Sequence, residues 1–481
     1  MKRSSFLLAG FLALLASAAQ AADYGYIGTN NTSYDATTSW SDGVVPGATD
    51  NITGFSTANA SITLSTAAHS INNITQATAS QVNTLFYGGT AGTYNVLGTL
   101  TVSNSASLIF RGNGLSLTLH DVVINGGNLD IGGVASTYTG IGNLSQAGTN
   151  SITLTGSSAN SVLSINVTNS YSLGALNFDG SNSKNVYLDA NTNATAITAT
   201  VAGLSTADGS SGTTRIYGSQ DNATAASHGA HNVTLNINTT GANTYATSAQ
   251  LIDYQPTVNS NTAYTNSVLS VIKSGTGTQK LSAASTYSGG TIVQQGKLVV
   301  NNATGSGTGT GAVTVSNGAT LAGTGIIAPT AGNNVTINGT LAPGDTAGTL
   351  TFNLSSGSKL AFGSGSTLSL TLGTSSSEVS FSTAGDWLTG SGNVSLSLSL
   401  GTGFSYSNTY NVFDNVTTTG FTFASITGYD TNSYSASVAK VGNSYTLSFS
   451  AVPEPSTYAL FIGGLALFIL SRRRMAATFR G

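Results

Sequence analysis

Apolar residues recur at every second position in short runs along this chain, a spacing that suits strands and argues against helices. Val394 to Leu400 reads VSLSLSL and Tyr445 to Phe449 reads YTLSF. Successive strand side chains point to opposite faces, so each run turns its apolar groups toward one core. No stretch of the body carries a convincing helical period. Gly-rich turns such as GSGTGTG, Gly305 to Gly311, separate the runs, and proline is nearly absent between the termini, so the unit is strand, turn, strand.

The units echo at a fixed interval. Ile292-Val293-Gln294-Gln295-Gly296-Lys297-Leu298 is followed by Val313-Thr314-Val315-Ser316-Asn317-Gly318-Ala319-Thr320-Leu321 and then by Val335-Thr336-Ile337-Asn338-Gly339-Thr340-Leu341, with a looser copy at Val122 to Leu129. The three late glycines stand 22 and 21 residues apart. Such intervals mark stacked coils, because one strand pair cannot bury its apolar face without a neighbour above and below. The spacing predicts an all-β, single-stranded parallel β-helix. At about 22 residues per coil and about 4.8 Å per strand, the body makes about 18 coils and a rod near 90 Å. The amides before those glycines, Gln295, Asn317 and Asn338, are expected to stack as a ladder. Residues 395–451 look less periodic and are read as a β-rich cap over the last open edge.

Composition agrees. Charged residues make up 6% of the chain, and Gly numbers 59 of 481, against usual shares of about 25% and 7%. Solvent-facing positions must therefore be Ser, Thr and Asn. With 40% hydrophobic residues, 19 Tyr and 17 Phe, the chain is too apolar for disorder. Between Asp23 and Val452 eight Lys and Arg face sixteen Asp and Glu, a net charge near −8, and that sign argues against nucleic acid, which needs clustered positive charge. There is no cysteine, so stability must come from burial and backbone ladders rather than staples.

Both termini read as addresses. Lys2 and Arg3, an apolar run from Phe6 to Ala16 and the small-residue motif Ala19-Gln20-Ala21 form a secretory signal peptide, residues 1–21, cleaved by signal peptidase after Ala21. At the far end Val452-Pro453-Glu454-Pro455-Ser456-Thr457 precedes an uncharged stretch from Tyr458 to Leu470, and Arg472, Arg473 and Arg474 close it. Thirteen uncharged residues fall short of the roughly 20 of a stable membrane span, so the segment is a short membrane helix held during export by a cytoplasmic Arg cluster. The two prolines are expected to keep the motif extended, with Glu454 exposed.

These three parts, in this order, resemble the PEP-CTERM sorting domain of Gram-negative bacteria, over residues 452–474. The resemblance implies processing by exosortase, transient anchoring in the inner membrane through the C-terminal helix, and delivery to the cell surface or medium, often beside exopolysaccharide. Phe479, Arg480 and Gly481 follow the arginines, a small departure from the pattern.

A second resemblance lies in the body. TYSGGTIVQQGKLVVNN, Thr286 to Asn302, with the repeats after it, resembles the autotransporter-associated β-strand repeat of passenger domains over residues 270–375. WSDGVVPGATDNI from Trp40 is similar to the first coils of such passengers. The chain ends in a sorting tail where an autotransporter has its membrane barrel, which implies a different export route.

A polysaccharide lyase or hydrolase on this fold needs carboxylates and a base gathered on adjacent coils, and the candidates are Asp121, Asp130, Asp179, Asp189 and Arg215. Arg215-Ile216-Tyr217 and His228-Gly229 lack carboxylate partners. His228 and His231 with Asp221 lack an evident third metal ligand. Asp130 within GGNLDIGG reads as a turn, and Gly296-Lys297 as a strand lysine without the rest of a phosphate loop. Asn51, Asn73, Asn143 and Asn166 head glycosylation sequons that this composition generates by chance. No catalytic residue, metal or cofactor is assigned. The reading is a non-enzymatic structural or adhesive β-helix, residues 22–394, with exopolysaccharide or its own copies as partners. A polysaccharide-acting enzyme and a passenger tethered in the envelope are the alternatives.

Overall fold

The computed structural model describes residues 21–478 except 29–31, 56–60, 65–67, 78–82, 89–91, 113–114, 133–142, 147–149, 156–158, 166, 168, 190–195, 220–231, 255–266 and 454. Alternation becomes strand as expected. In Ser366–Leu372 the inward residues Leu368, Leu370 and Leu372 are buried, and the strand pairs in parallel register with Val394–Leu400, Ser366 opposite Val394 through Leu372 opposite Leu400. Like thus stacks on like from coil to coil, and the apolar column is continuous.

Consecutive strands visit three faces in turn. Asn51–Phe55 lies on the first, Ser61–Leu64 on the second and Ala68–Ile71 on the third, after which Asn73–Gln76 returns to the first. The third face is one 13-stranded sheet from Ala68–Ile71 to Leu388–Thr389. The first comprises two eight-stranded sheets meeting at Leu204–Thr206 and Thr244–Thr247, where the Thr206 and Thr247 hydroxyls bond at 2.9 Å. The second has nine strands ending at Gln250–Tyr254 and six resuming at Ile326–Ile327. Neighbouring strands are parallel until the C-terminus, where Tyr434–Val441 and Ser444–Ala451 form an antiparallel hairpin on Tyr410–Val416. The fold is the expected parallel β-helix. Its parallel pairing continues past residue 394, through Val394–Leu400 to Ser425–Thr427, before the direction reverses.

Coil length is less uniform than the late repeats imply. Thr291, Val313 and Val335 stack 22 residues apart, but Ala196, Asn232 and Val268 stack 36 apart. Longer corners consume chain without adding rungs. At about 4.8 Å per strand the first face, with its two sheets of eight strands, runs roughly 75 Å, short of the 90 Å that uniform coils would give.

The amide ladder also lies elsewhere than expected. The third-face register sets Val293, Val315 and Ile337 in line, so Asn338 stacks on Ser316 and Gln294, and Asn317 and Gln295 fall one step further on. The middle copy carries one more turn residue than the first and two more than the last: Gly318 sits at φ +79°, whereas Gly339 is packed so that a Cβ would come within 2.3 Å of the Ser316 and Ala319 carbonyl oxygens. Stacked amides occur instead at the start of the first face. Asn51 donates to Asp23 at 2.8 Å and accepts from Asn73 at 2.8 Å, and Asn73 Oδ1 accepts from Thr99 N at 2.6 Å. The amides of these two sequons are thereby engaged.

At the N-terminal end the first coil has a short 3₁₀ turn, Thr37–Ser39, in place of a third-face strand, and Trp40 fills the space. Its ring is 1% exposed, its Nε1 donates to the Tyr34 carbonyl at 2.8 Å, and it meets Tyr26 edge-on at 5.5 Å. At the other end helix α1, Pro455–Thr478, follows the hairpin. Among the described residues no helix is long and apolar enough to cross a membrane.

Candidate functional site

The carboxylates weighed for catalysis do not converge. Asp121 opens Asp121–Asn125 and Asp179 closes Ala175–Asp179, two coils away on the first face. Asp121 accepts from Ser151 N, and Asp179 from Gly180 N. Asp130 and Arg215 lie on the second face three coils apart, roughly 14 Å. Asp130 is a strand residue of Asn128–Ile131, which corrects the turn expected from GGNLDIGG. Beside Arg215 are Tyr187 and Tyr217, stacked at 5.1 Å, and burial pushes the Tyr187 hydroxyl up to about 12. The Asp189 side chain, His228, His231, Asp221 and Asn166 lie outside the described residues, among which no group of three metal-ligating side chains forms.

What the interior does gather is neutral and cationic polarity, at one level of the rod. The apolar core divides there, one cluster running from Tyr24 to Tyr287 and the other from Leu281 to Leu447. Among the described residues no second-face strand lies between Gln250–Tyr254 and Ile326–Ile327. Buried side chains bond backbone groups here and at the break between the two first-face sheets, as unpaired interior polar groups are costly. Gln279 accepts from Leu204 N and donates to Leu204 O, both at 3.0 Å. The Tyr287 hydroxyl bonds Thr291 at 2.6 Å, and Thr291 donates to Thr308 O at 3.0 Å. Asn302 accepts from Ile326 N at 3.0 Å, bridging to the first strand of the resumed sheet.

Lys273 is the charged member. It is fully buried, and its Nζ donates to the carbonyls of Ser274 at 2.7 Å, Gly275 at 2.9 Å and Gln295 at 3.3 Å. Loss of hydration pulls the amine down to about 8. Sequence reasoning missed this residue, although the alternation VLSVIKS puts it in step with the inward Leu269 and Val271. Outside the same coils Asp345 is held by Lys280 and, at 3.0 Å, by Lys297, the strand lysine expected from Gly296-Lys297. The Lys280 hydrogen bond, with help from Lys297, holds the Asp345 carboxyl below the usual range.

In the tail, Val452 and Pro453 follow the last strand without joining an element and are exposed, and Val452 N donates to Ser433 O at 2.8 Å. Pro455 is already the first residue of α1 and Ser456 and Thr457 continue it, which corrects the expectation of a wholly extended clip. Proline suits a first helical turn, where its missing N–H would be unpaired anyway. Glu454 is outside the described residues. The helix runs on through Arg472, Arg473 and Arg474, with the Arg472 guanidinium 5.2 Å from the Phe468 ring one turn earlier. Ala21 is the first described residue, and Ala19 lies outside.

Fold and interior together define a single-stranded parallel β-solenoid whose polar junction joins two apolar cores. Residues 271–300, the junction itself, match the passenger-associated-transport-repeat family. That segment holds Lys273, Gln279, Tyr287 and Thr291. The match falls within residues 270–375, over which the sequence resembles passenger repeats. A search of curated proteins returned no match. The repeat and the solenoid suggest an exported, surface or secreted β-helical protein of autotransporter type.

Proposed function

We propose that this protein is a structural or adhesive rod of the cell exterior, exported by its signal peptide and processed at Val452–Thr457 by exosortase after transient anchoring through α1. The observation that carries the structural part is the long solenoid itself, a rigid three-faced body with a passenger-type repeat at its junction. On this reading it acts by surface, and the described candidate carboxylates lie apart, Asp121 and Asp130 on different faces and Asp179 two coils from Asp121. Outward positions are mainly Ser, Thr and Asn, neutral hydrogen-bonding groups that suit exopolysaccharide or a second copy of the rod. The few Lys and Arg of the body leave few sites for proteases of basic specificity.

The reading predicts that purified mature protein, added back to cells lacking it, sediments with the cells or their extracellular polysaccharide, or assembles with itself. Protein that stays monomeric in the supernatant, free of cells and polysaccharide, contradicts an adhesive role.

A further inference from the structure

The corner where the third face turns into the first is cut by a notch. Three successive coils make this corner differently. After Tyr171–Leu173 a single residue, Gly174, leads into Ala175–Asp179; after Ala196–Val201 only Ala202 and Gly203 intervene; after Asn232–Asn238 the chain takes five residues, 239–243, to reach Thr244–Thr247. The two tight corners are recessed beneath the long one, and the Gln146 side chain closes the opposite wall. The resulting cleft of ≈280 Å³ is lined by Gln146, Gly174, Thr200, Asn238, Asn243 and Tyr245 among others, every one uncharged.

The two tight corners need glycine for close packing. A Cβ on Gly174 would come within 1.5 Å of the Asn150 carbonyl oxygen, and one on Gly203 within 2.2 Å of Tyr245 Cδ2. The Tyr245 ring therefore seats against bare backbone. Gln146 is fixed in place, donating to His120 O at 2.6 Å and accepting from Gly174 N at 2.7 Å. The side-chain amides of Asn238 and Asn243 and the hydroxyls of Thr240 and Tyr245 have no hydrogen-bond partner among the described residues. One aromatic ring thus stands beside several free donors and acceptors of both kinds, in a volume near the lower limit of small-molecule sites, about 300 Å³.

We infer that this corner cleft binds one residue of an uncharged hexopyranose glycan, its C–H face against Tyr245 and its hydroxyls on Asn238, Asn243 and Thr240. Sugar hydroxyls donate and accept, as amides and hydroxyls do, and an aromatic ring covers apolar sugar surface while keeping a polar tip. A uronate or sulfated chain would meet no cation among the described lining residues and would lose hydration without compensation. The inference rests on the reading of the protein as a component of the cell exterior and names the chemistry it holds there.

Affinity electrophoresis of the full chain in mild detergent, through gels containing dextran, mannan or a mixed-linkage β-glucan, and separately alginate, tests it. The wild type is expected to be retarded by at least one of the neutral glycans and not by alginate. Tyr245→Ala and Asn243→Asp should each weaken that retardation about tenfold, while Tyr245→Phe retains most of it. Asn243 is exposed on the long corner, so its replacement leaves packing intact, and unchanged far-UV circular dichroism checks the fold of both. Retardation by alginate alone, by no glycan, or equally for wild type and Asn243→Asp overturns the site. Where the wild-type protein is found in its own culture judges the cell-exterior reading separately, since neither substitution touches the termini.

Discussion

Replacing Phe352 by alanine is expected to destabilise the C-terminal half of the rod by about 3–5 kcal/mol, the range for emptying a buried phenylalanine site. Phe352 is fully buried, stacks in register between Ile327 and Phe381, and lies 5.8 Å from the Phe381 ring. Each coil contacts only its neighbours, so a cavity between two coils weakens one interface rather than the whole column. The polar junction already divides the core at 281–287. Hydrogen exchange should therefore show the strands from Thr349–Phe352 to Ser444–Ala451 losing protection at lower urea than those before residue 254. Uniform loss along the chain, or a change below about 1 kcal/mol, would contradict nearest-neighbour stacking.

The second large effect is a pH dependence centred on Lys273. Its folded pKa of about 8 lies below the ordinary 10.5, so between those values the unfolded chain binds the proton that the folded chain has released. Stability must then rise with pH across that window. Relative to Lys273→Met, which cannot titrate, the wild type should gain about 2–3 kcal/mol from pH 7.5 to 10. Burial raises the pKa values of Tyr34, Tyr94 and Tyr287, which opposes stability at still higher pH, but both proteins share those tyrosines and the difference between them removes their effect. A difference that stays flat in urea titrations at several pH values would mean that water reaches the ammonium and that the junction is wet.

Much of the architecture was legible because its cause is local. Alternation in Val394 to Leu400 and the glycine punctuation at 296, 318 and 339 are one-dimensional signals, and stacking is the only way such strands bury their apolar sides. Coil length was not legible outside the late repeats. The 36-residue coils around Asn232 have corners whose length no periodicity constrains. The amide ladder was misplaced because glycine alignment ignores register: one extra residue before Gly318 shifts Asn317 off the Asn338 column, whereas Asp23, Asn51 and Asn73 occupy one register position. The junction was hidden by its own disguise, since Lys273 and Gln279 take inward positions in strands that otherwise read as apolar. In the tail, two prolines argued for extension, yet Pro455 opens a helix because the first turn asks nothing of its nitrogen. The corner cleft had no linear signature at all; its walls come from four coils.

The account turns on export and release, and the most direct measurement is the intact mass and location of the native protein, compared with a variant carrying Pro453→Ala, Glu454→Ala and Pro455→Ala. The expected result is a wild-type species outside the cell that begins at Ala22 and lacks α1, with the variant retained in the inner membrane at the higher mass. Wild type and variant both membrane-bound at equal mass would contradict release and leave the rod tethered in the envelope.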